Sequence, residues 1–275
     1  MNRGRVHKTD LRTLALLICM YALLVGNHVV YWLHPLSLAL HICVSTVAIH
    51  LAFTVWHEAV HRNVSRRAWV NNAVGMAGIL PYMFPYFMQR WVHLQHHARL
   101  NEPDDPNRLY VDGPFWQIPV RYARAIPFLR KLSDDPRTPA EKVADALLPC
   151  TVLTLYALAW RSGVLGDLLL LWFIPVVLAK IIMDWYINYL PHVGLPADRF
   201  GGTRIVVVPW LTPLLLGHNY HAIHHLWPPI PWHRYRAVFN DKLDYLRKNG
   251  VPIEYSVIRD RTRPAEFVRH DAVVD

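Results

Sequence analysis

The chain has 275 residues, 53% of them hydrophobic, and a formal net charge of +9. That apolar share is only slightly above a soluble average, so its distribution along the chain carries the membrane question. The basic balance is not interleaved with any recognisable nucleic-acid reader motif, and no nucleic-acid partner is expected. Three dispersed cysteines, Cys19, Cys43 and Cys150, exclude a disulfide scaffold.

Residues 11–33 are long and apolar enough to cross a bilayer core of roughly 30 Å as a helix. No small-residue cleavage site follows them, so a signal peptide is not expected. Residues 35–56, opened by Pro35, form the second limb of a hairpin that ends at Trp56. The segment 69–92 is apolar but broken by Gly75, Gly78, Pro81 and Pro85, which reads as interfacial or re-entrant. Residues 101–145 read as a polar, proline-rich loop with short helices. Residues 146–160 and 164–187 make a second hairpin about Arg161-Ser162-Gly163. Its first limb is short, so tilt or an extension into 141–145 is needed. The chain then turns aromatic and proline-rich, and from about 259 it reads as loose.

Charge is sorted along this pattern. Arg3, Arg5, Lys8 and Arg12 surround the start of the first span, the 57–145 loop carries twelve Lys/Arg, and the chain after 187 carries eleven. The opposite connections hold only Arg161. The positive-inside rule then places the N-terminus, the central loop and the C-terminus in the cytoplasm. The expected fold is an all-α integral membrane protein of one domain, multi-pass in a bacterial inner membrane. Four transmembrane helices in two hairpins carry a cytoplasmic helical cap built from 57–145 and 188–258.

That topology brings three histidine groups to one side: His57 and His61; His93, His96 and His97; His221, His224 and His225. On a helix, positions three and four apart share a face, so each group presents its imidazoles toward one point. Imidazole suits iron, zinc and copper. Eight imidazoles exceed the needs of one ion, and two ions sharing them is the economical reading. His57-Glu58-Ala59-Val60-His61 also matches the H-E-x-x-H zinc protease signature. A catalytic zinc takes about three protein ligands, so that reading leaves six clustered histidines unused. Glu58 then becomes a carboxylate that orients a ligand.

The stretches HEAVHRN (57–63), FMQRWVHLQHHARLNEPDDPN (87–107), NYLPHVG (188–194) and GHNYHAIHHLWPPIPWHRYR (217–236) resemble the membrane fatty acid desaturase and hydroxylase superfamily. The run HHLWPPIPW is the most specific of them, and the closer resemblance is to beta-carotene hydroxylases of the cyanobacterial type. The resemblance implies a mushroom-shaped helical fold whose cap holds two iron ions that activate dioxygen. It implies a further ligand at His192, and an asparagine, Asn219, that reaches metal through water. His218 stands where a glutamine is expected and is assigned beside the ligands. Asn101, Asp104 and Asp105 follow the second group and are candidates to accept N–H bonds from ligating imidazoles.

Other histidines fall outside the set. His50, seven residues before His57, is expected to make a hydrogen bond inside the bundle. His28, His34 and His41 lie too far along their helices, and His7 and His270 are terminal. Trp227, Trp232 and Tyr235 read as interfacial anchors in preference to walls of a substrate tunnel. The implied reaction is oxygen-dependent oxidation of an unactivated C–H bond in a lipophilic substrate: a carotenoid ring, or alternatively a fatty-acyl lipid. No dinucleotide fingerprint, iron–sulfur cysteine set or haem motif is present in the sequence. Electrons are therefore expected from a separate protein, by resemblance a ferredoxin.

Overall fold

The computed structural model describes residues 9–34, 36–122 and 135–256. Pro35, the terminal charges Arg3, Arg5 and Lys8, His7, His270 and the stretch from 259 lie outside the described residues. Four helices are long and apolar enough to cross a membrane: α1 (Leu11–Leu33), α2 (Leu38–Val60), α5 (Pro139–Arg161) and α6 (Leu165–Tyr189), with mean hydropathies of 1.9, 2.0, 1.6 and 2.2. Between the two hairpins lie α3 (Ala68–Ile79) and α4 (Tyr86–Ala98), and after them α7 (His221–Leu226) and α8 (Tyr235–Lys248). The described strand content is one short parallel pair, β1 (Ile205–Val206) with β2 (Ile253–Glu254).

Local chemistry sets where the spans start. Asp10 caps α1, accepting from the Arg12 amide and from Thr13 Oγ1. Its own amide donates to the Val64 carbonyl at 2.8 Å, fastening the start of α1 beside the end of α2. Ser37 caps α2 through the Leu40 amide. Helix α2 does not stop at Trp56. It continues to Val60 because Val55, Ala59 and Val60 are buried against the bundle. His57 and Glu58 are therefore helical residues. Helix α5 begins at Pro139 behind a Thr138–Glu141 capping box, which supplies the extension that the short apolar run required.

The segment 69–92 is not a span. At ~1.5 Å per residue, α3 with its 12 residues is too short. It lies against α2 at close range: a Cβ on Gly78 would meet the Trp56 amide at 2.9 Å, and one on Gly75 would meet the Tyr86 ring at 2.1 Å. Those two glycines permit the packing rather than break the helix. The main core joins Met20 and Leu24 of α1, Ile49 and Phe53 of α2, and Ala179 and Met183 of α6. A second cluster, with Ile205, Tyr220, Ile223, Tyr235, Phe239 and Leu246, holds the cap together. Helix α5 sits outside, with Leu153 70% and Trp160 75% exposed, an apolar surface suited to lipid.

Helix α4 lacks a side-chain cap of its own. Asp145 of α5 supplies one, its carboxylate accepting from the Phe87 amide at 3.0 Å and the Met88 amide at 2.7 Å. Arg137 Nη1 pairs with the same carboxylate at 2.8 Å. Asp145→Ala is expected to lower stability by about 1–3 kcal/mol, the cost of orphaning buried donors. Thermal unfolding in detergent would read it, and an unchanged melting temperature would show that this cap contributes nothing.

Candidate metal centre

All three histidine groups meet at one end of the bundle. His57 and His61 come from the last turn of α2 and the residue after it; His93, His96 and His97 from α4; His221, His224 and His225 from α7. His192 follows α6, whose last segment, Asp184–Tyr189, winds as a wider π turn with the Leu190 amide reaching back to Trp185.

Two sets of ring nitrogens converge. His57, His61, His93 and His224 each place a nitrogen within 4.8 Å of the others, and so do His96, His192 and His225. His97 and His221 adjoin these sets. His97 Nε2 lies 3.0 Å from His93 Nε2 and 2.8 Å from His224 Nε2, while His221 Nε2 lies 3.2 Å from His225 Nε2. His61 Nε2 faces His93 Nε2 at 2.8 Å, and His57 Nε2 faces His224 Nε2 at 3.1 Å.

Hydrogen bonding does not account for this arrangement. A neutral imidazole has one N–H and one lone pair, so nitrogens that crowd a common point cannot all be satisfied by one another. His96 Nε2 is buried without a partner, and His192, which has the Gly202 backbone beside one ring nitrogen, keeps the other for the centre. A cation at each centre would satisfy them. With bonds of ~2.1 Å to imidazole, neighbouring ligand atoms sit about 3 Å apart, which matches the observed separations. Protonation states agree. Burial, reinforced by mutual repulsion among the rings, holds His93, His97, His221, His224 and His225 well below the usual histidine range. Burial alone brings His61 down to about 3. The neutral form is the one that binds metal.

The surrounding carboxylates divide. Asp105, 1% exposed, accepts from His96 Nδ1 at 2.9 Å and from the amides of Asn101 and Asn107, both at 2.8 Å. Asn101 and Asp104 do not accept from an imidazole. Asn101, at φ +58°, donates to the carbonyls of Pro196 and Gly202, tying two loops together. Asp104 pairs with Arg99 at 3.2 Å on the surface. Glu58 lies 3.9 Å from His57 Nδ1, too far for a hydrogen bond. Its oxygens instead accept from Asn63 Nδ2 at 3.0 Å and from Tyr235 Oη at 3.3 Å.

Tyr235 is not an interfacial anchor. Fully buried, it accepts from His224 Nδ1 at 3.2 Å while donating to Glu58. That leaves His224 Nε2 with its lone pair turned toward the first set. Trp232 also faces inward, donating to Thr13 Oγ1 at 3.1 Å, and Trp227 packs half-buried on the cap cluster. His218 belongs to neither set: its Nε2 lies 3.0 Å from Thr54 Oγ1 and its ring 5.3 Å from that of His57. Asn219 spends its amide on the Val206 carbonyl and Thr212, while its Oδ1 is buried without a partner. His50 bonds the Leu214 carbonyl and Tyr186 inside the bundle, and His41 bonds Asn27.

Beside His93 lies a cavity of about 260 Å³, walled largely by apolar side chains including Phe53, Trp56, Phe84, Met183 and Ile187. The molecule is thus a membrane protein with a polyhistidine centre next to an apolar pocket. The fatty acid desaturase family model matches residues 31–256, and the chain belongs to that family. Membership places it among oxidoreductase enzymes. The sn-1 oleoyl-lipid 12-desaturase of a Synechocystis species is 25% identical over 88% of this chain and 77% of its own length. Its counterpart from a Picosynechococcus species is 38% identical over only 22% of this chain and 20% of its own length. A beta-carotene ketolase of a Paracoccus species is 28% identical over 73% of this chain and 78% of its own.

Proposed function

We propose that the chain is an oxygen-dependent di-iron oxidoreductase that hydroxylates a ring C–H bond of a carotenoid. The observation that carries this reading is the pair of converging imidazole sets beside an apolar cavity. One iron would be held by His57, His61, His93, His97 and His224, and the other by His96, His192, His221 and His225. When bound, the two irons supply the reduction of dioxygen and the breaking of an unactivated C–H bond, chemistry beyond side chains alone. The protein's own groups hold and orient. Asp105 fixes the tautomer of His96, and Glu58 does the same for His224 through Tyr235. The apolar walls exclude water from the reacting carbon.

Overall, substrate C–H, dioxygen, two electrons and two protons give an alcohol and water. The electrons come from a separate donor, a ferredoxin, docking on the basic face, which the charge pattern assigns to the cytoplasm of a bacterial inner membrane. The protease reading is set aside because Glu58 is engaged by Asn63 and Tyr235 and the pattern leaves most of the convergent histidines unused.

The carotenoid assignment draws on the resemblance of the histidine stretches and on the matched ketolase, whose alignment covers most of both chains. Matches to acyl-lipid desaturases support a second reading, in which the C–H bond belongs to a fatty-acyl chain. Expression with a ferredoxin system in hosts that make beta-carotene and ring-oxygenated carotenoids separates the two. A product one oxygen atom heavier, detected by pigment chromatography and mass spectrometry, is expected. Unchanged pigments together with altered acyl unsaturation would transfer the assignment to lipids. Iron at about two per chain is expected from metal analysis, and zinc alone would overturn the di-iron centre.

A further inference from the structure

Helix α6 carries a polar residue at every fourth position along its last turns: Lys180, Asp184, Asn188 and then, just past its end, His192. That spacing keeps the four on one side of the helix, and the wide turn at Asp184–Tyr189 lies between the first of them and the histidine. Lys180 and Asp184 pair with side chains only 14% and 5% exposed. An ion pair inside a spanning helix is costly and is kept where it has a task. Neither converging histidine set includes it.

The cluster around this pair satisfies itself and leads in one direction. Lys180 donates to Asp184, to Tyr122 and, at 3.5 Å, to the Tyr110 hydroxyl. Tyr122 donates to Asp184 Oδ2 at 2.6 Å, which leaves its oxygen to accept from Tyr110 at 3.3 Å. Asp184 Oδ1 also accepts from Asn188 Nδ2 at 2.9 Å. A carboxylate only accepts, so it fixes the Asn188 carboxamide with Oδ1 turned away from it. That oxygen accepts from Asn107 Nδ2 at 3.4 Å. The backbone amide of Asn107 in turn donates to Asp105 Oδ1 at 2.8 Å, and Asp105 holds His96 Nδ1. Asp184, Asn188, Asp105 and His96 are all buried, so water does not replace a broken step between them.

We propose that Asn188 and Asn107 are positioning residues for the second histidine set, acting on His96 through Asp105. Helix α6 then governs two members of that set, His192 directly and His96 by way of the loop after α4. Among the described residues no hydrogen bond from Lys180, Asp184 or Asn188 reaches His57, His61, His93 or His224. The two sites are therefore unequal. The second depends on α6 side chains that also face the cavity, Lys180 and Asn188, and the first does not. Removing either carboxamide releases residue 107 from α6, and with it the loop that keeps Asp105 against the His96 ring. This inference rests on the two-metal reading above.

The test loads the full chain in nanodiscs with cobalt(II), an ion that imidazole suits and whose visible bands report its ligands. Affinity is measured by competition with a chelator. His192→Ala marks the bands of the second site, because His192 belongs to that set alone. Asn188→Leu and Asn107→Ala are each expected to weaken one of two cobalt ions about tenfold, the lower end of what supporting groups contribute. The weakened ion is expected to be the one marked by His192→Ala, with its bands shifted, while the other keeps its wild-type affinity and spectrum. The double variant is expected to lose no more than the worse single one, since both remove the same link. Asn107→Ala keeps the backbone amide on Asp105 and carries the test if Asn188→Leu does not fold. Tyr21→Phe, which removes the bond to the Ala77 carbonyl elsewhere in the bundle, controls for general loosening and is expected to hold both ions. Two ions on the wild type with equal losses at both sites, no loss at either, or additive losses in the double variant overturns this inference alone. Fewer than two ions on the wild type fails the two-metal reading and this inference with it.

Discussion

His225→Ala is expected to abolish turnover and to lower iron content, both by more than about a hundredfold in activity and affinity, beyond what loss of a merely supporting group costs. The ring of His225 stacks on that of His97 at 4.3 Å and lies 4.9 Å from those of His96 and His192. It therefore borders both converging sets. Its Nε2 faces His221 at 3.2 Å, so removing it also frees His221 to rotate. The side chain is half-buried at the cap rather than in the apolar core, so the fold itself is expected to survive. Iron per chain by plasma mass spectrometry, together with circular dichroism, checks both halves of the statement. A folded variant that retains two irons and full turnover would remove His225 from the proposed ligand set. His218→Gln is the matched contrast: His218 stands outside both sets, bonded to Thr54, and most iron should stay in place.

Much of the centre was legible because helical spacing converts directly into geometry. H-x-x-H-H places three rings on one face, and α4 and α7 present them as that spacing implies. His192, drawn from the resemblance, lies beside His96 with ring centroids 4.8 Å apart. Asp105 was legible as a partner, but Asn101 and Asp104 were not separable from it. Which of the three meets His96 depends on a left-handed backbone at Asn101 and on carbonyls near residue 200 that the local sequence does not encode. Tyr235 was missed for a related reason. Its bond to Glu58 spans 177 positions, and a tyrosine at the end of an aromatic, proline-rich run looks like an interfacial residue. The start of α5 was written in Thr138 and Glu141, a capping signal to which hydropathy is blind. The π turn at the end of α6, which sets the approach to His192, leaves no periodic trace in an already apolar segment.

Asp105→Ala is expected to have the second-largest effect, acting on stability and on metal together. The carboxylate serves three donors at once: His96 Nδ1 at 2.9 Å, the Asn101 amide and the Asn107 amide. Two of these bonds close the loop that follows α4, and the third sets which nitrogen of His96 keeps its lone pair. With Asp105 buried, alanine leaves three donors without water to replace the acceptor, a loss of about 3 kcal/mol when partial relaxation is allowed for. Asp105→Asn separates the contributions. Its carboxamide oxygen can still accept from one backbone amide, but its NH2 group meets the remaining donors head-on and the charge that favours the bond to His96 is gone. The asparagine variant is expected to fold with a modest drop in melting temperature and to lose about ten- to a hundredfold in iron affinity. Competition with a chelator measures the second effect and thermal unfolding the first. If Asp105→Asn holds iron as tightly as the wild type while Asp105→Ala fails to fold, Asp105 is a loop clamp alone, and orientation of His96 has to come from the helix that carries it.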